Sequence, residues 1–168
     1  MPEIEVREVP IAQERHRTRN GRPYTPTATL EMQRRIRLAW QTAGHGVIRG
    51  PVVLEVWAYF PRPAGHYGTG RNAGRVKPSA PAVPDGERND WDNLGKLVSD
   101  ALRHEAMEGD GKVVDGIVHR RFADDRPPGW RVRVDPWQED TEYGTASVRS
   151  HAYPRTSDRE AAAGPARW

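Results

Sequence analysis

Alternating positions and apolar runs predict four β-strands. Residues 3–9 begin with alternation of apolar and polar residues before Pro10 and form the first of these segments. The β-branched and aromatic run Val52–Phe60 predicts the strongest strand of the chain. Two further runs, Val113–Phe122 and residues 130–137, are joined by Asp-Asp-Arg-Pro-Pro-Gly, a turn sequence that suggests a hairpin.

Apolar residues at helical spacing predict two helices between these strands. The first begins with Thr27 or Thr29 as its cap and continues to about Ala43. The second covers residues 92 to about 107 and carries an apolar stripe formed by Leu94, Leu97, Val98, Ala101 and Leu102. The predicted order is strand, helix, strand, long loop, helix, strand, strand. This order is typical of an α+β fold with two helices packed on a mixed sheet.

Two stretches lack such a pattern. Residues 61–90 contain ten Gly or Pro and five basic residues, and they predict a long basic loop that is mobile or functional. Residues 138–168 contain a single residue of the Leu, Ile, Val and Phe set, which predicts a disordered tail. We therefore expect one domain over residues 1–137, followed by the tail.

The composition excludes several classes of protein. No apolar run approaches the ~18 residues of a membrane span, and the first residues lack the basic and apolar regions of a signal peptide. The chain has no Cys, which excludes disulfide scaffolds and thiolate zinc sites and suits a reducing cytoplasm. Its net charge of +3 and pI near 9.5 permit a nucleic-acid partner without requiring one.

Acidic residues concentrate around the start of the second predicted helix. Asp90 and Asp92 flank that start, and Asp92, Lys96 and Asp100 are spaced by four residues, so they share one stripe. Asp110 follows at the entry to the next strand. If the fold returns Asp110 to this place, three carboxylates converge beside Lys96, and such hard oxygen ligands suit Mg²⁺. Two such ions can activate water in phosphodiester hydrolysis.

The same residues also have a purely structural interpretation. An Asp at a helix start commonly caps the free N–H groups and interacts well with the helix dipole. Charged residues four apart on a helix commonly form ordinary surface ion pairs. From the residues alone, the metal site and the structural interpretation both stay open.

Basic residues flank the acidic segment. Residues 14–37 contain seven Arg and two Glu, a local charge of +5, and the long loop adds five more basic residues. This distribution favours a nuclease, in which cations hold the phosphate backbone while carboxylates hold metal at the scissile bond. A solvated surface is an equally compatible interpretation. The candidate DNA contacts are Arg15, Arg17, Arg19, Arg22, Tyr24, Arg71, Arg75 and Lys77.

One segment carries a recognisable motif. It consists of Asp90-Trp91-Asp92-Asn93-Leu94, Lys96 and Asp100-Ala101-Leu102, followed by Asp110 and Val113-Val114. This resembles the RusA family of Holliday junction resolvases of phages and prophages, which has D-x-D-N-L-x-K-x-x-x-D-A-L and then an Asp-Asp pair before a strand. Weaker similarities include Tyr-Thr-Pro at residues 24–26. Together they cover roughly residues 1–135.

The resemblance implies a homodimeric endonuclease that depends on Mg²⁺, with Mn²⁺ as a substitute, and cuts four-way DNA junctions. By position, Asp90, Asp92 and Asp110 match the family's metal-binding catalytic carboxylates. Lys96 matches its catalytic lysine. Gly109 stands where the family has the first Asp of its pair, which implies a thinner metal shell.

Two other functions remain compatible with the sequence. One is a non-catalytic DNA-binding module in which the acidic residues are only helix caps and ion pairs. The other is a phage nuclease that acts on other branched or flap DNA.

Overall fold

The computed structural model describes residues 1–14, 17–19, 21–86 and 89–139. Arg15, residues 140–168 of the predicted tail, and the side chains of Arg17 and Arg19 lie outside the described part, so the predictions for them stay predictions. Within it, the strands are β1 (Glu3–Val6), β2 (Arg17–Arg19), β3 (Arg22–Tyr24), β4 (Val52–Phe60), β5 (Val113–Phe122) and β6 (Gly129–Pro136), and the helices are α1 (Thr27–Thr42) and α2 (Trp91–Leu102).

β4 lies inside a mixed four-stranded sheet with the order β1-β6-β4-β5. It runs parallel to β5 and antiparallel to β6, and β1 pairs with the other edge of β6. β4 occupies an inner position because it is apolar and buried along nearly all of its length. The predicted α+β fold, with two helices on a mixed sheet, is confirmed.

β5 and β6 do not form the predicted hairpin, because β4 lies between them. Val56 of β4 pairs with Val118 on one side and with Val132 on the other. That prediction was wrong because a turn sequence shows that the chain reverses and does not show whether a third strand fills the gap. The connection from β4 to β5 is instead a parallel crossover that contains the long loop and α2, as parallel pairing requires.

Both helices pack on one face of this sheet, and they also pack against each other. The predicted apolar stripe of α2 is fully buried there, as are Ile36 and Trp40 of α1. From the sheet, the core receives Leu54 and Val56 among others. The apolar stripe therefore determines which side of α2 faces the sheet, and the stripe of Asp92, Lys96 and Asp100 lies on a different side of the helix.

The helix ends differ from the predicted ones. α1 begins after Pro26, and neither threonine caps it, since buried Thr29 accepts a hydrogen bond from the Glu14 N–H at 3.4 Å instead. α2 ends at Leu102, five residues early, because His104 adopts a positive φ of 65°. Met107 is nevertheless fully buried. Its apolar character therefore reflected burial after the turn, where Met107 forms a β-bridge with Ile48, and not continuation of the helix.

The basic segment after Glu14 contains a hairpin that the sequence analysis missed. β2 pairs antiparallel with β3, and Gly21 in the turn has a φ of 73°. The dipeptide Asn20-Gly21 is a strong hairpin signal, but strands of three residues are too short to show alternation. Four of the candidate DNA-contact residues belong to these two strands.

Arg62 fastens the start of the long loop to the chain that follows β5. Its Nε and Nη2 donate to the two carboxylate oxygens of Asp124 at 2.7 and 2.6 Å, and its Nη1 donates to the Pro81 carbonyl at 2.9 Å. The guanidinium carbon lies 4.1 Å from the ring centroid of Phe122. One side chain thus connects two distant parts of the loop to the sheet.

We expect acid to loosen this loop. Hydrogen bonds from Arg62, opposed by partial desolvation, lower the pKa of the Asp124 carboxyl. The stabilisation is therefore present above the pKa of an unfolded Asp, about 4, and is lost as the pH falls through the lower folded value. Asp124→Asn imitates that acid state at neutral pH and should speed trypsin cleavage within residues 61–86. Asp125→Asn is the control, and equal cleavage of both variants would contradict the prediction.

Candidate active site

A pocket of about 340 Å³ lies between α2 and the strands β4 and β5. Asp92 and Lys96 line it from α2, and Asp110 lines it from the 3₁₀ turn Asp110–Lys112 that leads into β5. The rest of the lining consists of Leu54, Val56, Trp91, Gly95, Ser99, Val113, Gly116, Ile117 and Val118. The structure thus brings three of the four predicted catalytic residues to one place.

Hydrogen bonds from the N-terminal segment hold the start of α2. The Ala12 N–H donates to Oδ1 of Asn89 at 2.9 Å, and the Gln13 N–H donates to the Asn93 carbonyl at 3.1 Å. Asn89 has a φ of 62°, a left-handed conformation in which Asn is enriched. Sequence reasoning gave Asn89 and Gln13 no role; the only signal was an Asn directly before a helix start.

Asp90 does not act as the helix cap that the structural interpretation requires. It occupies the N-cap position, but its carboxylate makes no capping hydrogen bond to the first turn, whose residues are all described. Asp92 is exposed in that first turn, where the helix dipole favours a negative charge. Asp90 is exposed as well and is not among the residues that line the pocket.

Lys96 reaches the pocket while paired with Asp100. Its Nζ lies 3.4 Å from Oδ2 of Asp100, and the same oxygen accepts a hydrogen bond from Nε2 of Gln13 at 2.9 Å. The Lys96 side chain is 56% exposed and that of Asp100 is 25% exposed. The ammonium is therefore tethered and still accessible to a ligand.

Gly95 sets the distance between α2 and β5. A Cβ atom added at this position would lie 3.1 Å from Cγ2 of Val118, closer than side chains normally pack. The missing side chain therefore allows the helix to approach the strand and keeps the charged stripe beside Asp110. A glycine inside a helix is unfavourable by itself, so the sequence offered no reason to select it.

The pocket residues fit a magnesium ion shared with a phosphate. Within the described ranges, no three His, Asp or Glu side chains lie close enough together to hold a metal alone. Two exposed carboxylates, those of Asp92 and Asp110, do line the same pocket. Mg²⁺ commonly binds through one or two carboxylates plus water and substrate phosphate oxygens. The predicted role of Asp90 as a further ligand stays a prediction.

Gly109 has no structural need to be a glycine. Its φ of −178° is extended backbone open to any residue, and a Cβ would meet no described atom within 4 Å. The departure from the Asp-Asp pair is therefore not forced by the fold.

The described candidate DNA-contact residues are all exposed. Arg22 and Tyr24 lie on β3, and Arg71, Arg75 and Lys77 lie in the long loop, where Nζ of Lys77 donates to the Gly65 carbonyl at 2.9 Å. The chain leaves the start of α2 at Gln13 and enters the arginine-rich hairpin a few residues later. Contact of these side chains with DNA stays a prediction.

Comparison with known protein families gives a match over most of the chain. A family model described as "Endodeoxyribonuclease RusA" matches residues 6–135, which is 130 of the 168 residues. The chain belongs to the RusA family. A comparison with curated proteins finds no match. The family carries DNA endonuclease activity, and this confirms the resemblance drawn from the acidic motif.

None of the described helices of this RusA-family protein is both long enough and apolar enough to cross a membrane.

The pocket that contains Asp92, Lys96 and Asp110 is the candidate active site, because it unites the acidic motif of α2 with the turn before β5.

Proposed function

We propose that this protein is a Mg²⁺-dependent endonuclease that resolves four-way DNA junctions in recombination and repair. The observation that carries the proposal is the shared pocket of Asp92, Lys96 and Asp110 in a chain of the RusA family. Because Asp90 makes no capping bond, the structural interpretation no longer explains that residue, although the ion pair between Lys96 and Asp100 is present.

The charged residues of the pocket have different roles in phosphodiester hydrolysis. Asp92 and Asp110 would hold the divalent ion, which when bound would supply an activated water for attack at phosphorus. Lys96 donates hydrogen bonds to the phosphate and stabilises the negative charge that develops on it. Asp100 positions Lys96 through their ion pair. The products carry a 5′-phosphate and a 3′-hydroxyl.

Exposed basic residues position the DNA, and two subunits cut it. Arg22, Arg71, Arg75 and Lys77 contact phosphates, and Tyr24 stacks on an unpaired base. A homodimer with a twofold axis presents one pocket to each of two opposed strands, so that paired nicks resolve the junction.

A labelled synthetic junction tests the proposal. We expect symmetric nicks with Mg²⁺ or Mn²⁺, none with EDTA, and much slower cutting of linear duplex. Faster cutting of a flap than of the junction would support the other-substrate alternative. DNA binding without cleavage in any divalent metal, and with no sensitivity to Asp92→Asn, would support a binding module.

Lys96 and Asp100 make separable contributions to this activity. We expect Lys96→Met to reduce the cleavage rate by at least about 100-fold, because a charge that stabilises the transition state is lost. Asp100→Asn should reduce it by less than about 5-fold, because the Lys96 side of the pair is more than half exposed and such ion pairs contribute little. Single-turnover cleavage rates at saturating protein measure both effects. A loss in Asp100→Asn as large as that in Lys96→Met would contradict the small contribution that we expect from this ion pair.

A further inference from the structure

We propose that the apolar part of the active-site pocket receives one unstacked nucleobase of the DNA, next to the bond that is cut. The proposal rests on the proposed nuclease function and adds a base-binding site to it. Such a site makes cleavage depend on the nucleotide sequence at the junction.

The first observation is the apolar character of the pocket. The open apolar surface comes from Val113 and Val118 of β5, which are only partly buried and line the pocket. They share it with Asp92 and Asp110. Hydrolysis of a phosphodiester requires the carboxylates and the lysine and gives no use to an apolar floor. Open apolar surface in a concave site favours a ligand with an apolar face. A volume of about 340 Å³ is at the small end of ligand pockets and suits a single base.

The second observation is Gly116, which lies inside β5 opposite Leu54. Its φ is not positive, and an added Cβ would meet only Cγ1 of Val113, at the ordinary contact distance of 3.9 Å. Neither backbone conformation nor packing therefore requires glycine here, although glycine weakens a strand interior. The missing side chain keeps the pocket open, and glycine inside a strand often marks the close approach of a ligand.

The third observation is the exposure of Trp91. This side chain lines the pocket, stands between Asp90 and Asp92, and is 63% exposed. A large aromatic surface open to solvent beside a nuclease site is suited to stacking on a base, since every base has a flat π-face. Ser99 also lines the pocket, and its hydroxyl offers a hydrogen-bonding group for a base edge.

A segment of a second protein copy is the competing occupant. The charged residues of the same pocket favour DNA, because a protein segment lodged there would cover Asp92, Lys96 and Asp110. A base of the substrate enters together with its own phosphate and leaves these groups engaged. We therefore assign the pocket to a nucleobase.

Gly116→Val tests the assignment, because it fills the pocket and introduces a better strand former. Gly46→Val is the matched control, since a Cβ at Gly46 meets no described atom within 4 Å and Gly46 does not line the pocket. The experiment measures how fast wild type and each variant cleave junctions that differ only in the bases beside the cut. We expect wild type and Gly46→Val to prefer one base by about 10-fold, the effect of one hydrogen bond to a base edge such as the Ser99 hydroxyl offers, and Gly116→Val to lose that preference. An unchanged preference in Gly116→Val overturns the proposal.

A second readout does not need cleavage. Junctions with 2-aminopurine beside the cut are bound in EDTA, where unstacking raises the fluorescence and stacking on Trp91 modifies it. We expect the fluorescence change for wild type and Gly46→Val, a weaker or altered one for Trp91→Ala, and none for Gly116→Val. If neither wild type nor any variant cuts the junction but the fluorescence differs among them as expected, the base site is supported and the nuclease function is contradicted. A 2-aminopurine response of Gly116→Val equal to that of wild type overturns the base site. So does a change in the oligomeric state of Gly116→Val in sedimentation, because it would assign the pocket to a segment of a second protein copy.

Discussion

Asp92→Asn and Asp110→Asn will each reduce Mg²⁺-dependent junction cleavage by at least about 100-fold, a loss of about 2.7 kcal/mol of transition-state stabilisation. Each substitution removes one of the two carboxylates that line the pocket. Both side chains are exposed, so the fold should persist. Junction binding should persist as well, because the basic residues that we propose as phosphate contacts are unchanged. Single-turnover cleavage, a gel-shift titration and a thermal melt measure the three properties.

Asp125→Asn is the control for these variants, because its carboxylate is almost fully exposed and lies outside the pocket. It should cleave like wild type. Full-rate cleavage by Asp92→Asn would rule out the proposed mechanism. Asp90→Asn then tests the third ligand that the family resemblance implies: a loss similar to that of Asp92→Asn would make Asp90 a metal ligand, although it does not line the pocket.

The part of the site that lies on α2 was predictable because the residues that determine it are close together in sequence. The spacing of Leu94, Leu97 and Val98 determines which side of α2 faces the sheet, and thereby places Asp92 and Lys96 on the free side. The D-x-D-N-L motif lies within one helical segment, so the family was recognisable from residues that are close in sequence. The fold class followed for the same reason, from the order of the elements.

The arrival of Asp110 beside α2 was not predictable from spacing. It depends on parallel pairing of β5 with β4, whereas the turn sequence after β5 suggested pairing with β6. Pairing partners are a property of the whole sheet, and no local signal encodes them. The roles of Gly95 and Asn89 were hidden similarly, because Val118 and Ala12 are their partners and lie far away in sequence.

Glu55 interrupts the apolar run of β4, and the structure explains this charge. Because side chains alternate along a strand, Glu55 points away from the helices that cover Leu54. It is only 3% exposed, its Oε1 lies 2.9 Å from Nε2 of His119, and its Oε2 accepts a hydrogen bond from Arg133. Nε of Arg133 also lies 2.9 Å from Oδ2 of Asp135. A buried charge is thus held within a network of polar partners.

Glu55→Gln should therefore lower the free energy of unfolding by about 3 kcal/mol, the lower end for breaking a buried ion pair, since Arg133 keeps Asp135 as a partner. The corresponding decrease in Tm is about 10 °C. Asp125→Asn should stay within about 0.5 kcal/mol of wild type. Adding Arg133→Gln to Glu55→Gln should cost less than the sum of the single changes, because they share one interaction. Strict additivity, measured by urea unfolding, would show that the pair contributes no coupling energy.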